Sequence, residues 1–297
     1  MSHGNNAFDD TESADEVRWR RLTELIGRRA GPADGPTPPS PRHGGSTGTR
    51  SLLERVCAVT VVVAAVDGAG VTVMSSVDAG LAGYRDQLAA TGTVSRRLED
   101  LQLTTGEGPC LDAYREGVPV LIPDLADEPG RWLGFGPEAI SAGAAAVFSL
   151  PLQVGAIRLG TLDLHRRVAG PLSRDQLADA LAMASLATEA LLEIARERTV
   201  ANPEDDDPEH HRVPEPSLGW LPGVHSDVHV ASGMVAAQTG TDVRSALVLI
   251  RAHAFAHGDS IHQVAQRVID RHLTFPRHDH EGSENGPTER DDKEGES

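Results

Sequence analysis

Four guanidinium groups, Arg244, Arg251, Arg267 and Arg271, are the only permanent cations between residues 217 and 276. A guanidinium grips phosphate through two parallel N–H···O bonds and stacks on unpaired bases. Arg244 and Arg251 are seven residues apart, about two helical turns, so both can reach one phosphate-bearing strand. The alternative for all four is a solvated or ion-paired surface cation, the usual fate of arginine. The same stretch holds six histidines, His225, His229, His253, His257, His262 and His272, with His253 and His257 at i, i+4. Partial protonation near pH 6 would add positive charge beside the arginines. Stronger binding of any phosphate-bearing chain, such as RNA, is therefore expected at that pH. No cysteine accompanies these histidines and no acid stands at ligand spacing, so a metal site is not expected.

Two other residues invite chemistry. Cys110 follows Pro109 at an expected helix start, where the helix dipole lowers a thiol pKa and would permit redox sensing. The competing reading is a small packed side chain, the commoner role of a free cysteine. His165 closes an apolar strand and suits packing better than haem ligation. There is no Gly-x-Ser-x-Gly, phosphate loop, or kinase or phosphatase signature, so neither an enzyme nor a bound cofactor is expected.

The chain must position these groups with few large side chains. It has 297 residues, 39% hydrophobic but only 3% aromatic, so its cores are built from Ala, Val, Leu and Ile. The net charge of −17 is uneven: −7 over residues 51–198, −5 over 199–216, zero over 217–276 and −5 from 277 onward. The neutral 217–276 stretch argues against a tight nonspecific polyanion binder. Two cysteines make no disulfide framework. The acidic, polar N-terminus is no secretory signal, and the longest mostly apolar run, Val56 to Val66, is too short to span a membrane. A cytoplasmic protein without membrane association is expected.

Residues 1–49 end in a Pro/Gly/Ser-rich stretch and are expected to stay disordered, apart from a short helix around Val17 to Arg28. From residue 50 the text becomes structured. Ser51 to Val56 reads as a helix end, and Ala58 to Val66, rich in β-branched residues, as a central strand. Asp67 to Gly70 would turn it into a return strand, Val71 to Val77. Thr93 to Leu103 is an amphipathic helix. The loop Gly106-Glu107-Gly108-Pro109-Cys110 leads to a short helix stopped by Gly117, then a strand, Val118 to Ile122. Ala145 to Val154 and Ile157 to His165 form a hairpin through Gly155. Ser173 with Gln176 has capping-box spacing and opens a helix to about Arg198. Residues 199–216 are an acidic, proline-rich linker, extended by like charges.

Three helices follow. Leu221 to Gln238 is stopped by Gly240. Asp242 caps the second, which buries Val243, Leu247, Ile250 and Ala254 and ends at Gly258. Ser260 with Gln263 boxes the third, which buries Ile261, Val264, Ala265 and Val268. The tail, 277–297, is acidic and expected to be disordered.

Over 50–198 the motifs Gly106-Glu107-Gly108-Pro109-Cys110-Leu111-Asp112-Ala113, Pro119-Val120 with Asp124-Leu125, and Leu159-Gly160-Thr161-Leu162-Asp163-Leu164 resemble those of GAF domains of actinobacterial regulators. Over about 222–275, Val228 with Ala231-Ser232-Gly233-Met234, Gln238, Gly240, Ala246-Leu247, Arg251, Ala254-Phe255, Val264-Ala265 and Val268 resemble the ANTAR domain. The resemblances imply an α+β GAF-like sensor domain, an antiparallel sheet with flanking helices, over 50–198. A small all-α three-helix ANTAR-like domain would follow over 217–276. They further imply transcription antitermination: the helical domain would bind hairpins of a leader transcript, under a sensor that takes a small-molecule ligand, in a homodimer. Arg244, Arg251, His253, Arg267 and Arg271 are the RNA-binding candidates. Val230 and Leu249 stand where the family commonly has polar or cationic groups. That departure favours an alternative, a dimerising protein-interaction regulator that has lost RNA binding. A second alternative is a DNA-binding factor, to which the third helix would offer only Arg267 and Arg271.

Overall fold

The computed structural model describes residues 13–28, 47–74, 85–201 and 226–276. The expected linker and tail, like Ser75 to Val77 and the start of the first output helix at Leu221, lie largely outside these residues. A five-stranded sheet organises the first part. Its strands are β1 (Gly68–Met74), β2 (Arg85–Ala90), β3 (Val120–Ile122), β4 (Ala146–Val154) and β5 (Ile157–Arg166), in the order β2-β1-β5-β4-β3. Every pairing is antiparallel. The hairpin expected through Gly155 is present as β4–β5, pairing Val154 with Ile157.

Side chains alternate across the sheet, and this splits it chemically. Ala69, Val71, Val73, Phe148, Leu150, Leu162 and Leu164 face one layer of helices and form the main apolar core. That layer is α1 (Ala14–Arg28), α2 (Thr47–Val63) and α6 (Arg174–Ala201). The opposite face carries Thr72, Ser149, Thr161, Asp163 and His165, all nearly or fully buried polar residues except Asp163, which is half-buried. Over it lie α3 (Thr93–Thr105), α4 (Pro109–Glu116) and α5 (Phe135–Ser141).

One local expectation is corrected. Ala58 to Val66 is not a strand: α2 runs through it to Val63, and Thr60 Oγ1 donates to the Val56 carbonyl within the helix. Leu53, Val56, Cys57 and Thr60 are buried at helical spacing. Burial of that stripe outweighs the weak β preference of its valines. β1 consequently pairs with β5 and with β2. The short helix expected around Val17 to Arg28 is present as α1, three residues longer at its start. α1 is packed through Leu22 and Ile26, and Arg18 and Arg21 hold Asp179 of α6 at 3.0 and 2.6 Å. The apolar stripe and the part-buried Arg18–Asp179–Arg21 ion pairs hold this helix against α2 and α6.

The capping box opening α6 is formed in both directions, Ser173 N–H to Gln176 Oε1 at 2.8 Å and Gln176 N–H to Ser173 Oγ at 3.3 Å. The C-terminal helices are α7 (Ser226–Thr239), α8 (Val243–His257) and α9 (Ile261–Ile269). Asp242 caps α8, a complete Ser260/Gln263 box caps α9, and Gly258 ends α8 in the left-handed conformation. Val228, Ala231, Val235, Leu247, Ile250, Ala254, Ile261, Val264, Ala265 and Val268 form one core; Val243, expected within it, is 37% exposed. Leu103 of α3 belongs to the same core, so the helical unit is docked on the α/β unit.

Candidate functional site

The polar face of the sheet and the helices above it enclose a set of ionisable groups. Arg85 enters from β2, Glu99 and Gln102 from α3, Cys110 from α4, and Asp163 and His165 from β5. Arg85 is 5% exposed and Glu99 6%, so neither charge is screened by water. Arg85 Nε lies 2.8 Å from Glu99 Oε1, and its Nη2 donates to Cys110 Sγ at 2.6 Å. Asp163 accepts from Ser149 Oγ at 2.5 Å and from Thr161 Oγ1 at 2.7 Å. Gln102 Oε1 accepts from the Cys110 N–H at 2.9 Å, which fixes α3 against the start of α4. Between these groups is a cavity of about 20 Å³, lined by Gln87, Ser95, Glu99, Gln102, Asp163 and His165 among others. That volume holds about one water molecule.

Desolvation dominates the electrostatics. Burial, reinforced by Glu99, pushes the Asp163 carboxyl up to about 7 against the hydrogen bonds and Arg85 that favour its charged form. Burial also pushes the Cys110 thiol well above its ordinary value, more strongly than Arg85 pulls it down. Of the two readings of Cys110, the packed side chain is the one found: Pro109 does begin α4, but complete burial outweighs the dipole. Burial opposes the charge of Arg85, yet Cys110, Glu99 and Asp163 together raise its pKa further. Glu99, Cys110 and Asp163 offer donor atoms within 4.8 Å of one another, a metal-compatible spacing. Arg85 already supplies a fixed cation to two of them.

Sequence reasoning singled out Cys110 and His165 but missed Arg85, Glu99 and Asp163. The available signal was Asp163, a charge inside the otherwise alternating Leu159-to-Leu164 strand. Arg85 and Glu99 gave none, because each reads as an ordinary surface charge. The glycine of that motif has a steric reason: a Cβ at Gly160 would fall on the Thr72 carbonyl oxygen of β1.

The five RNA-binding candidates stand in different surroundings. Arg244 is exposed at the first turn of α8. Arg267, exposed on α9, pairs with Asp259 at 3.1 Å. Arg271, just beyond α9, is exposed with a left-handed backbone, φ 60°. His253 stacks on His257 with ring centroids 4.1 Å apart and meets Phe275 edge-on. Its Nε2 is buried without a hydrogen-bond partner among the described residues. Burial, then His257 and Arg267, lower its pKa, and burial lowers that of His229. These two histidines therefore resist the protonation near pH 6 on which tighter RNA binding was expected. Arg251 points away from solvent: its Nε donates to the Leu103 carbonyl of α3 at 3.0 Å.

No helix among the described residues is long and apolar enough to cross a membrane. Neither a family model nor a curated protein sequence matches the chain. Solved structures do. The chain is similar to the GAF domain of a phosphoenolpyruvate-protein phosphotransferase from Coxiella burnetii, at 15% identity and a TM-score of 0.45, over 63% of this chain and 99% of that one. It is similar to the corresponding GAF domain from Acinetobacter, at 12% identity and a TM-score of 0.42, over 64% and 98%. It is also similar to free methionine-R-sulfoxide reductase from Neisseria meningitidis, at 13% identity and a TM-score of 0.40, over 66% and 96%.

Proposed function

We propose that the chain is a signal-responsive, non-enzymatic regulator of GAF–ANTAR type. Its α/β unit senses a small ligand at the buried polar site, and its helical unit binds hairpins of a leader transcript in transcription antitermination. The observation that carries this reading is α3. One helix places Glu99 and Gln102 at the polar site and Leu103 in the core of the helical unit, so the two units share a structural element. Charged groups buried around a water-sized cavity suit ligand recognition better than stability, because buried ion pairs rarely repay their desolvation. The GAF-like and ANTAR-like motifs support the division of labour, and the exposed Arg244, Arg267 and Arg271 supply phosphate-binding groups. Pairing of two chains would present two helical units to two hairpins at raised effective concentration.

The test is a gel shift of the full chain with leader-transcript hairpins across a salt series. Binding that weakens with salt, and weakens further in Arg244→Ala and Arg271→Ala with a shallower salt slope, is the expected result. A folded wild-type chain that binds no hairpin at low salt refutes the RNA-binding reading. A second reading, a dimerising protein-interaction module, is favoured by the exposed Val230, Val248 and Phe255 on α7 and α8. It would show as dimers without nucleic-acid affinity.

A further inference from the structure

Arg251 does not lie open on the surface of the helical unit. Its guanidinium Nε donates to the Leu103 carbonyl, one of the last carbonyls of α3, which have no helical partner of their own. It thus acts as a cation at the negative end of that helix. Its Nη1 lies 3.1 Å from where a Cβ on Gly106 would stand, so the group packs on bare backbone just past the end of α3. Burial, followed by repulsion from Arg85 and Arg115, brings its pKa down to about 10. The charge is therefore held in a place that disfavours it. Two further contacts tie α3 to the helical unit: Leu103 lies in its core, and His262 Nε2 is 3.6 Å from Asp100 of α3.

The neighbouring face of α3 walls the buried cavity with Ser95, Leu98, Glu99 and Gln102, Glu99 standing one turn before Leu103. Because the cavity has room for about one water, any larger ligand must displace a wall. The sheet walls are locked in backbone ladders on both sides of β1 and β5. No backbone ladder holds the helices over the sheet, and α3 supplies four of their lining residues, Ser95, Leu98, Glu99 and Gln102, against Pro109 from α4 and Phe135 from α5, so it is the wall that yields most, and it takes Leu103 with it.

We propose that the docked arrangement is a closed form in which α3 withholds Arg251 from RNA, and that occupation of the buried polar site shifts α3 and releases it. The proposal rests on the RNA-binding reading above and specifies its regulation. Release frees a guanidinium seven residues from Arg244 on the same helix, so the two can then grip one RNA strand together.

The experiment uses the full chain and one leader hairpin. Leu103→Asp puts a charge into the docked core and should open it. Gly106→Asn is an independent opening variant: asparagine tolerates the left-handed backbone while its Cβ pushes on Arg251. Hydrogen exchange over Gln102–Gly106 and Val248–Ala254 reports undocking without RNA. Both variants should exchange faster there and bind the hairpin about tenfold more tightly than wild type. Arg251→Ala should change wild-type affinity by no more than about twofold, yet abolish the gain in the opened variants. If the opened variants exchange faster but bind no better, masking is overturned while RNA binding stands. Masking is equally overturned if Arg251→Ala weakens wild type and opened variants alike. If no variant binds the hairpin, the RNA-binding reading itself falls. Should Leu103→Asp fail to fold, Gly106→Asn decides.

Discussion

Replacing Asp163 by asparagine isolates the cost of a carboxylate buried beside Glu99. In the folded chain Asp163 titrates at about 7, against 3.8 when exposed. Between those values the native state keeps a proton that the unfolded state has lost. Stability therefore falls as pH rises through this window, by about 1.4 kcal/mol per unit. The Asp163 contribution is complete below pH 4 and gone above pH 7. Integrated from pH 5 to pH 8, the loss is about 3 kcal/mol. The substituted amide keeps an oxygen to accept from Ser149 and Thr161, the donors at 2.5 and 2.7 Å, but cannot ionise. Titrating groups outside the Arg85–Glu99–Cys110 set are common to both proteins and cancel in the difference. Urea unfolding followed by tryptophan fluorescence at pH 5, 6, 7 and 8 should therefore show wild type losing about 3 kcal/mol more than Asp163→Asn over that range. Parallel pH profiles for the two proteins would refute the reasoning and place a charged, fully compensated Asp163 in the site.

Three further substitutions test the packing and a helix cap. Gly160→Ala would set a methyl group on the Thr72 carbonyl and 2.8 Å from Val73 Cα, forcing β1 and β5 apart. A loss of about 3 kcal/mol or more is expected by urea unfolding, whereas Gly27→Ala, with no atom within 4 Å of the new Cβ, should stabilise α1 by about 0.5 kcal/mol or more. Ser260→Ala removes one half of the box on α9 and should cost about 1 kcal/mol. It lowers the melting midpoint of the helical unit by about 5 °C in thermal unfolding followed by circular dichroism.

Signals confined to a few neighbouring residues were readable in advance. The boxes at Ser173/Gln176 and Ser260/Gln263, the cap at Asp242 and the stop at Gly258 each depend on atoms within about four positions. The β4–β5 hairpin likewise follows from two alternating runs flanking Gly155. The Val56-to-Val66 run misled because it is apolar on every side. With Val61, Val62 and Val63 beside Val59 and Thr60, the helical stripe is hidden, and Val62 is in fact 64% exposed. β2 was missed for the opposite reason: Arg85 and Asp86 look solvent-bound, yet both are buried in a strand.

Local chemistry was enough to specify the three C-terminal helices, their caps and the apolar stripes that bring them together, since each rests on contacts a few residues apart. It could not specify what surrounds a charge. Arg85, Glu99, Cys110 and Asp163 lie up to 78 positions apart along the chain, and folding alone removes them from water and sets their protonation. The role of Arg251 is of the same kind. Its spacing from Arg244 suggested an open phosphate ligand, but its partner is a carbonyl 148 residues away. A side chain's type and spacing define the bonds it can make; the packing of distant segments selects which bond it makes.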